Sequence, residues 1–177
     1  MVTVRDAVAS DAGAIEEVHE AGWRAGYGHL YEPDVLDKGV ANSCTRWSRV
    51  FASRDFEETT LLVAERDGVV AGFLHLGPGD EHPPRTWIHS FYVHPSHWGS
   101  GAAGALMERA MSVLDEQGVD AVYLTAYDGA SRARSFYEKT GFTETGVKTV
   151  HDLLGLAQVP ETQYSRPVRR AVPGGWR

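Results

Sequence analysis

The spacing of apolar residues changes within the first thirty positions of the chain. Apolar and polar residues alternate over 2–5, which predicts a short strand. Ser10 or Asp11 then supplies a helix N-cap, and Ile15 and Val18 recur on one helical face. The chain therefore begins with a strand followed by an amphipathic helix.

Two β-prone runs occupy the middle of the chain. The runs 61–65 and 69–76 are joined by Asp67-Gly68, a dipeptide that favours a tight turn, so we predict an antiparallel hairpin. A polar loop with three prolines follows, and 87–93 is the next strand, which ends before Pro95.

The remaining pattern alternates helices and strands. It predicts a helix over 101–114, a strand over 121–126, a helix over about 130–140, and strands near 145–150 and 162–166. This order is typical of an α/β (α+β) domain with a mixed, mostly antiparallel central sheet of six to seven strands flanked by helices.

Length and charge narrow the class of protein. The 177 residues suit one domain, which we assign to 1–170 with a short tail at 171–177. The net charge of −7, without a run of lysine or arginine, argues against a nucleic-acid partner, and no apolar run approaches the roughly 20 residues that span a bilayer.

The single Cys44, at helical spacing with Trp47, is expected to be a buried hydrophobic residue. Because residues 1–10 show no secretory pattern, we expect a cytoplasmic protein.

A glycine-rich segment lies between a predicted strand and a predicted helix. Backbone N–H groups at such a helix start bind anionic oxygens, and small residues let a phosphate approach the backbone. The run of small residues over 101–105 exceeds what a tight turn requires. We interpret the segment as a phosphate site formed by Gly99, Ser100, Gly101, Ala102, Ala103 and Gly104.

The same glycines permit a second interpretation. Gly99, Gly101 and Gly104 satisfy the G-x-G-x-x-G fingerprint, and Asp128 follows the next strand, where a dinucleotide-binding fold has its ribose-binding acid. An NAD(P)-binding oxidoreductase is therefore an alternative. Pro95 and several polar residues separate the strand from the first glycine, which argues against it.

Two motifs resemble the GNAT superfamily of N-acetyltransferases. FYVHP at 91–95 followed by WGSGAA at 98–103 is similar to that family's strand and pyrophosphate loop. ARSFYEKTGF at 133–142 is very similar to its A-x-x-F-Y-E-K-x-G-F helix and strand entry. The resemblance implies a GNAT-like fold, acetyl-CoA as co-substrate, and acetyl transfer to a primary amine by direct attack within a ternary complex.

The chain departs from the family's pattern at three positions. Trp98 stands where the family usually has glutamine or arginine, Ala130 where it has asparagine, and Trp87 where many members have a glutamate. A non-catalytic acyl-CoA-binding protein is therefore a further alternative.

The resemblance also implies roles for individual residues. Tyr137 matches the family's general acid, and the backbone of Phe91 and Val93 is expected to pair with the pantetheine arm, with the Val93 N–H polarising the thioester carbonyl. Trp98 and Ala130 complete the expected cofactor-binding set.

The general base has several candidates. His89 shares a strand face with Phe91 and Val93 and belongs to the residue type that titrates near neutral pH. Glu81 and His75 are alternatives. The histidine spacing fits no compact ligand signature, so no metal is expected.

An aromatic segment in the first helix is the expected acceptor pocket. Its residues suit a small-molecule or peptide amine, because aromatic rings with nearby carboxylates bind cations: Trp23, Tyr27, Tyr31 and Glu32. Core packing explains Trp23 and Tyr27, spaced i and i+4, equally well. A homodimer through edge strands is also expected.

Overall fold

The computed structural model describes residues 1–168 as a seven-stranded sheet with helices on both faces. The strands are β1 (Val2–Asp6), β2 (Thr60–Arg66), β3 (Val69–Pro78), β4 (Thr86–Val93), β5 (Ala121–Tyr127), β6 (Thr143–Leu153) and β7 (Ala157–Pro167). The helices are α1 (Ala12–Tyr27), α2 (Pro33–Ser43), α3 (Trp47–Phe51), α4 (Ala102–Glu116) and α5 (Ser131–Lys139), with 3-10 turns at Ala9–Asp11, Arg54–Glu58 and Pro95–His97. The tail predicted at 171–177 lies outside the described residues.

The strand order is β1-β2-β3-β4-β5-β7-β6. Every neighbouring pair is antiparallel except β4 and β5, which are parallel. The predicted mixed, mostly antiparallel sheet is confirmed. Within residues 1–168, no helix combines the length and apolar character needed to cross a membrane.

Strands β6 and β7 extend beyond the predicted 145–150 and 162–166. They form a long hairpin that turns through Leu154 and Gly155, both with positive φ. β6 is an edge strand whose residues are almost all exposed, so no alternation of apolar residues marks its ends.

Alternate residues of the central strands face two apolar layers. Leu62 and Leu74 pack with Leu106 of α4 on one face of the sheet. Val63 and Phe73 pack with α1 and α3 on the other face. The β2 sequence is continuously apolar because both of its faces are covered.

The connection after α2 holds the single cysteine in the core. Cys44 follows the last residue of α2 and is buried, and burial raises the pKa of its thiol to about 12. Trp47 begins α3, and its buried indole donates a hydrogen bond to Nδ1 of His19 at 3.1 Å. Cys44 is a core residue, as the spacing predicted.

Candidate functional site

Strands β4 and β5 are neighbours that separate along their length. They pair only at Thr86 with Val122 and at Trp87 with Tyr123, although β4 continues to Val93. The gap exposes backbone hydrogen-bonding groups within a sheet, and an extended chain can pair with such groups.

A β-bulge in β4 accompanies this separation. Leu76 pairs with Ile88 and His75 pairs with Ser90, so His89 is an extra residue in β4. A bulge bends its strand and increases the local twist, which favours divergence of β4 from β5.

The register of β3 and β4 aims two backbone amides into the gap. The His94 N–H donates to the Ala71 carbonyl at 2.9 Å, and Gly72 lies opposite Val93. Because successive N–H groups alternate across an antiparallel ladder, those of Phe91 and Val93 point away from β3 and toward β5. The Val93 N–H therefore points into the gap between β4 and β5.

A cavity of about 590 Å³ opens along the gap. Its wall combines the end of β4, one side of α1, the turn before α4 and the start of α5. The predicted site residues on this wall are Tyr27, Phe91, Val93, Trp98, Gly99, Gly101, Ala102, Ala103, Gly104, Ala130 and Tyr137. Ser100 does not line it; the Ser100 hydroxyl accepts a hydrogen bond from the Ala102 N–H at 3.3 Å.

The glycine-rich segment forms one end of the cavity. Gly99 and Gly101 have φ of 79° and 90°, and Gly101 is the N-cap of α4. A Cβ added at Gly99, Gly101 or Gly104 would meet nothing within 4 Å, so packing does not explain these glycines. The first amides of a helix have no intrahelical acceptor, and those of α4 face this open space beside the helix dipole. The geometry suits an anionic oxygen.

Trp98 and Arg132 meet at the same end of the cavity. The Trp98 indole N–H donates a hydrogen bond to the Val93 carbonyl oxygen at 2.9 Å. Trp98 is 37% exposed. The Arg132 guanidinium lies over this ring, 4.0 Å from the centroid. Sequence analysis missed Arg132, because the contact joins the first turn of α5 to a turn that precedes α4.

Tyr137, in α5, lines the cavity. It is buried and contacts the rings of Phe91 and Phe142 at centroid distances of 6.3 and 5.8 Å. Burial raises its pKa well above the usual range, so the phenol keeps its proton at neutral pH. Within residues 1–168, no protein group hydrogen-bonds its hydroxyl, which is therefore available to donate.

The predicted acceptor residues divide between the cavity and the core. Tyr27 lines the cavity. Trp23 and Tyr31 do not; they are buried in an apolar cluster, with their rings parallel and 5.8 Å apart. Glu32 is exposed at the start of α2, away from the cavity wall. The structure therefore shows Trp23 as a core-packing residue and not as part of the cavity wall.

His89, the first candidate base, also lies off the cavity wall. Its side chain is exposed, and its Nε2 bonds to the Pro78 carbonyl at 3.1 Å.

The two alternative bases, Glu81 and His75, do not line the cavity either. Glu81 accepts a hydrogen bond from the Trp87 indole at 2.9 Å and pairs with Arg85; the Trp87 bond contributes most to lowering the pKa of Glu81 to about 2. Burial lowers the pKa of His75 to about 4, and neither ring nitrogen has a hydrogen-bond partner within the described part of the chain.

A histidine that sequence analysis missed lines the cavity instead. His29 follows α1, and its Nε2 lies 3.0 Å from the carbonyl oxygen of Gly129, in the loop between β5 and α5. No local motif marks His29, since its partner is 100 residues away in sequence.

The fold contradicts the alternative interpretation as an NAD(P)-binding oxidoreductase. Strands β3 and β4 are antiparallel, and β4 and β5 pair at only two positions, so the parallel half of a dinucleotide-binding fold is not formed. The Asp128 carboxylate instead pairs with Thr162 and lies 3.8 Å from the Lys148 ammonium.

Comparison with known sequences identifies a family and distant relatives. The model of the acetyltransferase (GNAT) family matches residues 15–142. An uncharacterized N-acetyltransferase of Mycobacterium tuberculosis is 34% identical over 89 residues, which is 50% of this chain and 56% of that protein. An L-amino acid N-acyltransferase of Escherichia coli is 30% identical over 122 residues, 65% of this chain and 62% of that protein. The matched region thus spans only about half to two thirds of these relatives.

Comparison with solved structures agrees on the fold. An N-acetyltransferase from Thermoplasma acidophilum, crystallised with coenzyme A, superposes with a TM-score of 0.75 at 18% identity. The superposition covers 94% of this chain and 99% of that one. This likeness establishes a shared architecture.

Proposed function

This chain belongs to the acetyltransferase (GNAT) family, and we propose that it transfers an acetyl group from acetyl-CoA to a primary amine of a small molecule or peptide. One observation carries the proposal: the outward amides of β4, the glycine-rich start of α4 and the Tyr137 hydroxyl all face one cavity.

The cavity fits the parts of acetyl-CoA in order. The open space beside Gly99, Gly101 and Gly104 admits a pyrophosphate close to backbone amides. The amides of Phe91 and Val93 offer β-type pairing to the pantetheine arm. Acetyl-CoA, when bound, supplies an activated acetyl group as a thioester.

Arg132 compensates for the departure at Trp98. Trp98 offers no charge to phosphate, but its ring face holds the Arg132 guanidinium at the phosphate end of the cavity. A guanidinium binds phosphate through paired hydrogen bonds, so Arg132 of α5 supplies a phosphate-binding side chain where Trp98 supplies none.

Tyr137 and Val93 serve the two ends of the transfer. The Val93 N–H stabilises negative charge on the carbonyl oxygen, and the protonated Tyr137 hydroxyl donates to the departing thiolate. Cys44 takes no part as an acyl carrier, because it lies in the core and burial raises its pKa to about 12. The amine therefore attacks directly within a ternary complex.

The acceptor enters from the α1 side of the cavity. Gly22 and Gly26 line that wall next to Tyr27, and a Cβ at Gly22 would lie 3.0 Å from Tyr92, which shows how closely α1 approaches β4. The E. coli relative is an L-amino acid N-acyltransferase, so free amino acids head the acceptor panel.

Thermal stabilisation and thiol release test the proposal together. A ligand at a hundred times its dissociation constant stabilises the folded state by about 2.7 kcal/mol, so acetyl-CoA and CoA should raise Tm whereas NADH should not. The amine panel should then release free CoA thiol. Stabilisation by CoA without turnover on any amine would favour the acyl-CoA-binding alternative, and stabilisation by NADH alone would refute the cofactor.

Two further proposals concern the protein as a whole. We place it in the cytoplasm because its single cysteine makes no disulfide. We also propose a homodimer in which β6 pairs with a second copy, since this edge strand exposes Val147 and Val150. Sedimentation of the wild type and of Val150→Lys tests the second point, with dissociation expected in the variant.

A further inference from the structure

The contact between His29 and Gly129 determines which ring nitrogen carries a proton. A carbonyl oxygen only accepts hydrogen bonds, so Nε2 of His29, 3.0 Å away, must donate. In the neutral ring Nδ1 then holds an unshared electron pair. A histidine held in one tautomer by a backbone carbonyl is arranged to accept a proton at its other nitrogen.

The surrounding chain builds this contact from two directions. Leu30 follows His29, and a Cβ on Gly129 would clash with the Leu30 Cδ2, so glycine lets the segment after α1 pack directly on the β5–α5 loop. The Leu30 N–H also bonds to the Tyr27 carbonyl at 2.8 Å, which continues the turn of α1 through this position. Tyr27 and His29 both line the cavity.

The other ionisable groups of the cavity do not compete for this role. Burial raises the pKa values of Tyr27, Tyr92 and Tyr137, so each stays a neutral phenol at neutral pH. His97 and Arg132 belong to the phosphate end, beside Trp98 and Gly99. Several charged groups of neighbouring elements have partners: Asp128 pairs with Thr162 and Lys148, Arg24 with Glu20 and Asp37, and Glu161 accepts a hydrogen bond from Thr149. Glu32, at the start of α2, does not line the cavity.

We propose that His29 is the catalytic base that takes the proton from the acceptor amine. The assignment rests on the proposed acetyltransferase function and replaces the sequence-predicted His89, which lies off the cavity wall.

The proton balance runs through two side chains. Nδ1 of His29 takes one proton from the ammonium group, and the freed amine forms a C–N bond to the acetyl carbon as the C–S bond breaks. Tyr137 gives its proton to the sulfur and regains one from the nitrogen that becomes the amide. His29 returns its proton to water, so the net reaction converts an ammonium ion and acetyl-CoA into an amide, CoA thiol and one proton.

The test compares pH profiles of kcat/KM for the wild type and His29→Gln. Glutamine keeps an N–H that can reach the Gly129 carbonyl but cannot take up a proton. In His29→Gln, we expect kcat/KM to fall about 100-fold or more and to lose the decrease that the wild type shows on the acidic side of neutrality. The Kd for CoA should not change. Imidazole added to His29→Ala should restore part of the rate.

His82→Gln and His89→Gln supply the comparisons. His82 is exposed in the loop before β4, so its variant should retain the wild-type profile. A wild-type profile in His29→Gln, or loss of the acidic decline in His89→Gln alone, would overturn the assignment. A wild type that binds CoA but acetylates no amine would instead overturn the proposed function, and the assignment with it.

Discussion

The guanidinium of Arg132 rests on the face of the Trp98 indole, 4.0 Å from the ring centroid. Because the indole N–H is also bonded to the Val93 carbonyl, one side chain links the end of β4 to the first turn of α5. The link orients a positive charge at the end of the cavity proposed to bind phosphate.

Arg132→Gln should weaken acetyl-CoA binding about tenfold, because a hydrogen bond to a charged group contributes roughly 1.5 kcal/mol or more and Arg132 is exposed. Calorimetric titration measures this change. The variant should bind S-acetylpantetheine, which lacks the phosphates, as the wild type does. Arg109→Gln, which removes an exposed arginine paired with Glu116 on α4, is the matched control. Equal losses for both ligands would contradict the phosphate role.

Gly104→Ala should change stability and cofactor affinity in opposite directions. Gly104 lies in the first turn of α4 with open space at its Cβ position, so alanine should stabilise the fold by up to about 1 kcal/mol. The added methyl group occupies the proposed phosphate space, so the Kd for CoA should rise. Gly13→Ala, in the first turn of α1 with similar open space, should stabilise the fold without affecting CoA. Urea unfolding and calorimetry test the pair, and tighter CoA binding by Gly104→Ala would be inconsistent with this site.

Tyr137→Phe should reduce kcat by about 100-fold or more while the Kd for CoA and the Tm change little. The hydroxyl has no protein partner within the described residues, so its removal breaks no internal hydrogen bond. Tyr164→Phe is the comparison: its hydroxyl accepts from Arg134 at 2.8 Å, and its loss should lower Tm but spare kcat. An unchanged kcat in Tyr137→Phe would contradict the assignment of Tyr137 as the general acid.

Folding stability should fall with acid between about pH 6.5 and 3, partly through His19. Burial, with a smaller contribution from Arg46, lowers the pKa of His19 to about 3, and its Nδ1 accepts from the Trp47 indole. His19 is protonated at a higher pH in the unfolded chain than in the folded chain. The free energy of unfolding therefore keeps the full contribution of His19 above the usual pKa of histidine and loses it as the pH falls below that value. The slope contributed is at most about 1.4 kcal/mol per pH unit.

Urea unfolding at several pH values tests this dependence. His19→Gln should show a shallower slope over pH 6 to 4, and His82→Gln, altered at an exposed position, should keep the wild-type slope. Identical slopes in all three proteins would contradict the assignment to His19.

Local patterns in the sequence predicted most of the strands and helices and the glycine-rich start of α4. The Asp67-Gly68 turn, the glycines before α4 and the motif ending at Phe142 are short-range features, and the conformations they need depend on neighbouring residues. Gly101 shows the reason: its φ of 90° favours glycine whatever lies elsewhere in the fold.

Only the tertiary structure decided which side chains reach the cavity. Trp23 and Tyr27 lie one helical turn apart, and the sequence pattern does not distinguish their roles. In the structure Trp23 packs into the core, whereas Tyr27 lines the cavity. His29 meets Gly129, and Arg132 meets Trp98, through contacts between elements that are distant along the chain. Such contacts depend on how helices pack across the sheet and on where β4 leaves β5, and no local spacing of residue types encodes that geometry.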